Sequence, residues 1–218
     1  MVQMKYPVFL QALALTIVVF LIGMYLGIVL EDNRMNQVTD YQLDAEVSLI
    51  DIIALNNLID STNVNCEELS LASLSLLDRI YEEAKILDNY ENVQRVTKKF
   101  NALHKKYDVL RAYLWINSIK IKEKCGGDIN TVVYLYNNSQ EDLTIKAEQN
   151  VWSKILYEIK REKAKEVLLI PIDVSTDLVS LNVLLSGYSI ERFPAVIVNE
   201  EFVFTELPNK QDVLDVLN

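Results

Sequence analysis

Residues 188–199 read Tyr188-Ser189-Ile190-Glu191-Arg192-Phe193-Pro194-Ala195-Val196-Ile197-Val198-Asn199, and the reading of the C-terminal half turns on this stretch. After Pro194, Ala195 to Val198 predicts a short strand, and with Phe202 to Thr205 it predicts a hairpin across Asn199-Glu200-Glu201. Working upstream, Asp177 to Ser186 predicts a short helix. Val167 to Val174 (VLLIPIDV) predicts a hydrophobic strand in which Pro171 fits only at an edge or a bulge. Ile145 to Lys160 predicts a helix with Val151, Trp152, Ile155, Leu156 and Ile159 inward. Thr131 to Tyr136 (TVVYLY) is a strand by its β-branched and aromatic content, and it runs into the polar loop 137–142. Downstream, Lys210 to Leu217 predicts a closing helix. The element order is β-α-β-α-β-β-α.

Over about the last 90 residues this order resembles the thioredoxin fold, and the tyrosine, gap, proline and strand of residues 188–199 are its most specific part. The resemblance implies a cis Pro194 lying against the loop after the first strand, and Asp173 at a strand end fits it as well. It also implies a substrate groove formed by Tyr136, Gln140, Leu143, Phe193 and Pro194. The chemistry of the family is missing. Its Cys-x-x-Cys maps to Gln140-Glu141-Asp142-Leu143, so Gln140 and Leu143 stand where the cysteines belong, and Tyr134 stands where the family has a buried acid. Neither glutamine nor leucine supplies the thiolate that dithiol exchange requires. The resemblance therefore carries a fold and a proline loop without catalytic residues.

Before Gly126 the grammar is helical. Apolar residues recur at three and four, and no proline interrupts residues 31–126. A first helix is expected from Thr39 to Ile59, with Leu43, Val47, Ile50, Ala54 and Leu58 on its inward stripe. A second begins with Asn65 as N-cap and turns Leu69, Leu76, Ile80, Ala84 and Leu87 inward. Asp88-Asn89-Tyr90-Glu91-Asn92 reads as a turn. A third helix carries Val93, Val96, Phe100, Leu103, Tyr107, Leu110 and Leu114 in the alternating three-and-four spacing of a coiled-coil seam. The expectation is an antiparallel coiled-coil hairpin forming a stalk. His104, the only histidine, sits beside Lys105 and Lys106 and reads as a solvated residue rather than a metal ligand.

Cys66 and Cys125 are the only cysteines, and an even pair at element boundaries in an oxidising compartment points to a disulfide. Geometry opposes it. A hairpin folded about residue 89 or 90 leaves Cys125 about 12 residues past Cys66, or ~18 Å along a helix, whereas a bridge needs Cα atoms within about 7 Å. A bridge, two free buried thiols and an intermolecular bond all stay open. The spacing is not that of a redox-active Cys-x-x-Cys.

At the other end, Val8 to Leu30 is a 23-residue run without a charge, VFLQALALTIVVFLIGMYLGIVL. At ~1.5 Å per residue it spans about 34 Å, enough to cross a bilayer core of about 30 Å. Its length and the absence of small residues at a cleavage site favour an uncleaved signal-anchor. Lys5 before it, with Glu31 and Asp32 after it, predicts a cytoplasmic N-terminus and an extracytoplasmic C-terminal domain in the cell membrane. Gly23 and Gly27 have the spacing of a homodimer face. The formal charge of −10 disfavours nucleic acid as a partner.

Together these features predict an α+β protein in three parts: residues 1–30 anchor, 31–126 helical stalk and 127–218 thioredoxin-like α/β domain. The expected role is a redox-inactive, extracytoplasmic binding, scaffold or chaperone-like module that takes a protein partner at the proline-loop groove. No cofactor and no metal site are expected. The alternatives are a divergent thiol-disulfide oxidoreductase and a structural oligomerising stalk. Asn137-Asn138-Ser139 is the one Asn-x-Ser/Thr acceptor, and Glu141 and Asp142 beside Glu148 read as solvated acids.

Overall fold

A computed structural model describes residues 6–61, 64–91, 98–126 and 129–217. It is an α+β protein whose chain divides into two compact units, Met1–Asp44 and Ala45–Asn218.

Helix α1 (Tyr6–Ile59) is continuous, because its one proline, Pro7, sits in the first turn, where the missing N–H would have no partner in the helix, and none follows it. In the first unit, Val8–Asp32 has a mean hydropathy of 2.7, is wholly exposed, and is long and apolar enough to cross a membrane. Within this span Thr16 returns its hydroxyl proton to the carbonyl of Ala12, which satisfies its polar group inside the helix.

In the second unit, α2 (Cys66–Glu91) and α3 (Lys98–Cys125) lie against a four-stranded sheet. Asn65 caps α2 as expected, accepting from the N–H groups of Glu67 and Glu68 at 3.0 and 3.4 Å. The turn expected at 88–92 is not there, since residues 88–91 are helical. Asp88, Asn89, Tyr90 and Glu91 include no glycine or proline, so α2 has no reason to stop. Leu69, Leu76 and Ile80 are buried, as are Leu103, Tyr107, Leu110 and Leu114 on α3. The side chains of Ala84, Leu87, Val93, Val96 and Phe100 lie outside the described residues.

The apolar stripe expected to face inward on α1 faces outward instead: Leu43, Val47, Ile50 and Leu58 are 56, 62, 69 and 55 % exposed, and Ala54 is exposed too. The helix buries its opposite face, Ala45, Ser48, Ile52 and Ile59. Small side chains at 45 and 48 allow close approach, and three lysines of α3 tie this face down. Lys106 pairs with Glu46 at 2.5 Å, Lys120 with Asp60 at 3.1 Å, and Lys124 donates to the carbonyls of Ile59 and Ser61. Those carbonyls are otherwise orphans at a helix end with no basic residue of its own.

The strands are β1 (Asn130–Tyr136), β2 (Val167–Asp173), β3 (Ala195–Val198) and β4 (Phe202–Phe204), in spatial order β2-β1-β3-β4. β1 pairs parallel with β2 and antiparallel with β3, and β3 pairs antiparallel with β4. The edge position of β2 accommodates Pro171. Alternation along β1 sends Val132 and Tyr134 to one face, where they meet Trp152, Leu156 and Ile159 of α4 (Leu143–Lys163) and Val213 of α6 (Lys210–Leu214). Val151 was expected inward but is 42 % exposed. The short α5 (Val179–Leu185) connects β2 towards β3.

α3 covers the other face of the sheet, which explains why it is buried well beyond a single seam: Asp108, Arg111, Ala112, Trp115, Asn117 and Ile121 are buried too. His104 on this helix is half-buried, not solvated as expected. The β3–β4 turn fastens α3 to the sheet. Asn199 and Glu200 both have positive φ, 52° and 64°. Asn199 meets that demand as asparagine can, and its side chain accepts from the Thr131 N–H at 3.0 Å and donates to Asn130 at 2.8 Å. Trp115 Nε1 donates to Glu200 at 3.2 Å, and Lys122 donates to the Asn199 carbonyl at 3.2 Å.

Cys66 and Cys125 form a disulfide with a Cα–Cα distance of 5.7 Å. The point halfway between them falls between residues 95 and 96, inside the gap between α2 and α3, so the two helices match in length and bring the cysteines level. The geometric objection disappears once the turn lies later than residue 91.

Candidate functional site

The carboxyl ends of β1 and β2 and the loop before β3 bring together most of the residues that the resemblance implied. Leu135 is opposite Ala195 in the antiparallel register, so the next pair outward is Tyr136 beside Pro194. Pro194 is buried and Phe193 half-buried, and the Phe193–Pro194 peptide bond is cis, as the resemblance implied. Arg192 reaches Glu148 of α4 at 2.7 Å, which ties this loop to the helix across from it. Tyr136 stacks on Tyr134 with ring centroids 5.5 Å apart, and Tyr134 stacks in turn on Trp152 at 6.3 Å.

Leu143, the first residue of α4, is 79 % exposed, an aliphatic side chain held out at a helix start. Its neighbour Asp142 caps the helix, accepting from Thr144 at 2.7 Å. Gln140 is turned inward on its own loop: its Oε1 accepts from the N–H groups of Glu141 and Asp142 at 3.0 and 3.2 Å. Gln140 thus shapes the loop; Leu143 is the exposed apolar side chain beside it, and Tyr136 and Phe193 are half-buried. Glu148 is paired and Asp142 is a cap, so the three acids near this loop do not converge. Among the described residues no group of three His, Cys, Asp or Glu side chains is placed to hold a metal ion.

Behind the loop lies a charged cluster around Asp173, whose partners Asp108 and Arg111 the sequence did not announce. Asp173, ending β2, accepts from the N–H groups of Asn138 at 3.1 Å and Ser175 at 2.9 Å, and from the Ser175 hydroxyl at 2.7 Å. Asp108 of α3 accepts from the Asp173 N–H at 3.2 Å and from Arg111 at 3.1 Å. Burial strips water from Asp108 and, despite Arg111, raises its carboxyl pKa to about 6. Gln149 of α4 closes the other side. It accepts from the Asn137 N–H at 2.8 Å, donates to the Asn137 carbonyl at 3.3 Å, and its own carbonyl accepts from the Tyr134 hydroxyl at 2.8 Å. Loop 137–142 is therefore fixed directly from β2 and α4, with Asp108 of α3 bonded to the Asp173 that holds it. These partners lie 12 to 65 positions apart in sequence, so no local motif announces them.

The disulfide is at the other end of the sheet. Ile121 and Lys122, one turn before Cys125, line a cavity of about 20 Å³ with Ile129, Thr131 and Leu168 at the amino ends of β1 and β2. That space admits a water molecule and nothing larger. Along the seven residues of β1, at ~3.3 Å each, the cysteine end and the proline loop are roughly 20 Å apart.

No family model and no curated protein matches this chain. A solved structure described as "Structure of a malarial protein" is similar over 40% of this chain and 91% of its own, with 12% identity and a TM-score of 0.32.

Proposed function

We propose that this chain is a single-pass membrane protein whose second unit is a redox-inactive, thioredoxin-like binding module facing away from the cytoplasm. The apolar part of α1 crosses the bilayer, with Lys5 on the cytoplasmic side and Glu31 and Asp32 at the far end of the span. The surface formed by Leu143 and by the half-buried Tyr136 and Phe193, backed by the buried Pro194, holds an extended segment of a protein partner. The observation that carries this reading is the register that brings Tyr136 beside Pro194, next to a rigid loop that presents leucine where chemistry would need a thiol. The observed order of elements from β1 to α6 is the one on which the thioredoxin resemblance rests. Gly23 and Gly27, with nothing within 4 Å of a Cβ built on either, are free to serve as a helix-pairing face for a second copy.

A thiol-disulfide oxidoreductase is the weaker reading, because the cysteines are bridged to each other at the opposite end of the sheet from Pro194. A self-standing oligomeric stalk is weaker too, since α3 uses its faces on α2 and on the sheet. The test places a photo-reactive side chain at position 143 of the full chain in membranes. A discrete cross-linked polypeptide that disappears with Phe193→Asp supports the groove; cross-linking indifferent to Phe193→Asp rejects it. Thiol-dependent reduction of insulin by the purified chain, lost on Cys125→Ser, would replace the binding reading with the oxidoreductase one.

A further inference from the structure

We propose that Asn137 is an Asn-linked glycosylation site. This rests on the extracytoplasmic orientation proposed above. The acceptor pattern alone is a weak signal, and the geometry adds to it. Asn137 is the first residue beyond β1, half-buried, and it opens a polar loop in which Asn138, Ser139, Glu141 and Asp142 are exposed. The Ser139 hydroxyl donates to the Asn137 Oδ1 at 2.9 Å, which holds together the two side chains that the acceptor motif requires. That contact engages the oxygen of the carboxamide and leaves Nδ2, the atom to be glycosylated, without a hydrogen bond among the described residues. The backbone is pinned on both sides of Asn137 by Gln149, at 2.8 and 3.3 Å, so a glycan here needs no rearrangement of the strand.

Other asparagines that precede a hydroxyl residue miss the pattern by one position and two of them are buried, Asn117 before Ser118 and Asn130 before Thr131. The one complete pattern falls on an exposed loop. The Cys66–Cys125 disulfide is independent support for a compartment in which such modification occurs, since both need the same side of the membrane. The transfer uses an oligosaccharide linked to a polyprenyl phosphate and a membrane transferase. A bond forms between Asn137 Nδ2 and the anomeric carbon of the sugar, and that carbon's bond to the phosphate oxygen breaks. The lipid phosphate leaves with the electron pair, and the amide gives up one proton.

The experiment expresses the full chain, with a C-terminal tag that contains its own Asn-Gly-Thr acceptor, in a host that performs Asn-linked glycosylation. Peptide mass mapping and mobility before and after an amidase that removes such glycans then report each site separately. The expected result is glycan on both Asn137 and the tag, with the Asn137 glycan lost in Asn137→Gln and Ser139→Ala and kept in Ser139→Thr. Glycan on the tag alone overturns the site while leaving the orientation intact. Glycan on neither overturns the orientation, and the site with it. Because the tag reports delivery of each variant, a folding failure is not mistaken for loss of the acceptor.

Discussion

Helices α1 and α3 carry apolar stripes of similar spacing, and they meet opposite fates. On α3, Leu103, Tyr107, Leu110 and Leu114 are at most 1 % exposed; on α1, Val47, Ile50 and Leu58 are more than half exposed. Periodicity identifies a face, but it does not say whether anything covers that face. What decides is the partner. α3 has α2 on one side and the sheet on the other, whereas α1 is drawn in by Ala45, Ser48 and Ile52 and by the α3 lysines that pair with Glu46 and Asp60. Small residues and surface charges thus outcompete larger aliphatics for the buried position.

The largest effect should come from the buried stripe. Leu110→Ala removes a side chain with no exposed surface and leaves a cavity in the core, and it should cost roughly 2–5 kcal/mol in denaturant unfolding. Loss of the disulfide is comparable. Cys66 and Cys125 close a loop with a sequence separation of 59, so Cys125→Ser should lower stability by about 2–5 kcal/mol. A smaller value would mean that the helix pair holds its register without the bridge.

The charged inner face of α3 gives a pH signature. Burial raises the folded pKa of Asp108 above the ordinary carboxylate value to about 6, so its contribution to stability is full below about pH 4 and is lost as pH rises through 6. Such a rise corresponds to roughly 3 kcal/mol at most. Unfolding free energy measured from pH 4 to 7 should therefore carry a downward component that Asp108→Asn removes; an unchanged slope would place the titration elsewhere. Asn65→Ala, which strips the cap from α2, should cost about 1 kcal/mol. The smallest effect is expected on the exposed stripe, where Ile50→Lys should stay within about 0.5 kcal/mol of the parent. A large loss there would mean that the outward face of α1 is covered in the folded protein.

The same contrast explains what could be read from the sequence. The strands, their order and the Asn199–Glu201 turn were legible, because buried strands and αL asparagine have local signatures. The α2–α3 turn was placed too early, since polar residues such as Asp88 and Glu91 break a helix only when the backbone has a reason to leave it. Around the candidate site, the cis Phe193–Pro194 bond and the place of Tyr136 beside Pro194 follow from the strand order read in the sequence. The Gln140 side chain, which turns back onto the N–H groups of its own loop, has no local signature. Asp173 was legible as the acid at a strand end, but its partners were not, and Asp108 was invisible because it depends on a distant element for its partner.

The most direct test of the proposed role sets the two apolar surfaces against each other. Cross-linking of the full chain in membranes through a photo-reactive group at position 143 should lose its partner in Phe193→Asp and retain it in Val47→Asp/Ile50→Asp. Retention in the first and loss in the second would contradict a binding groove at the proline loop.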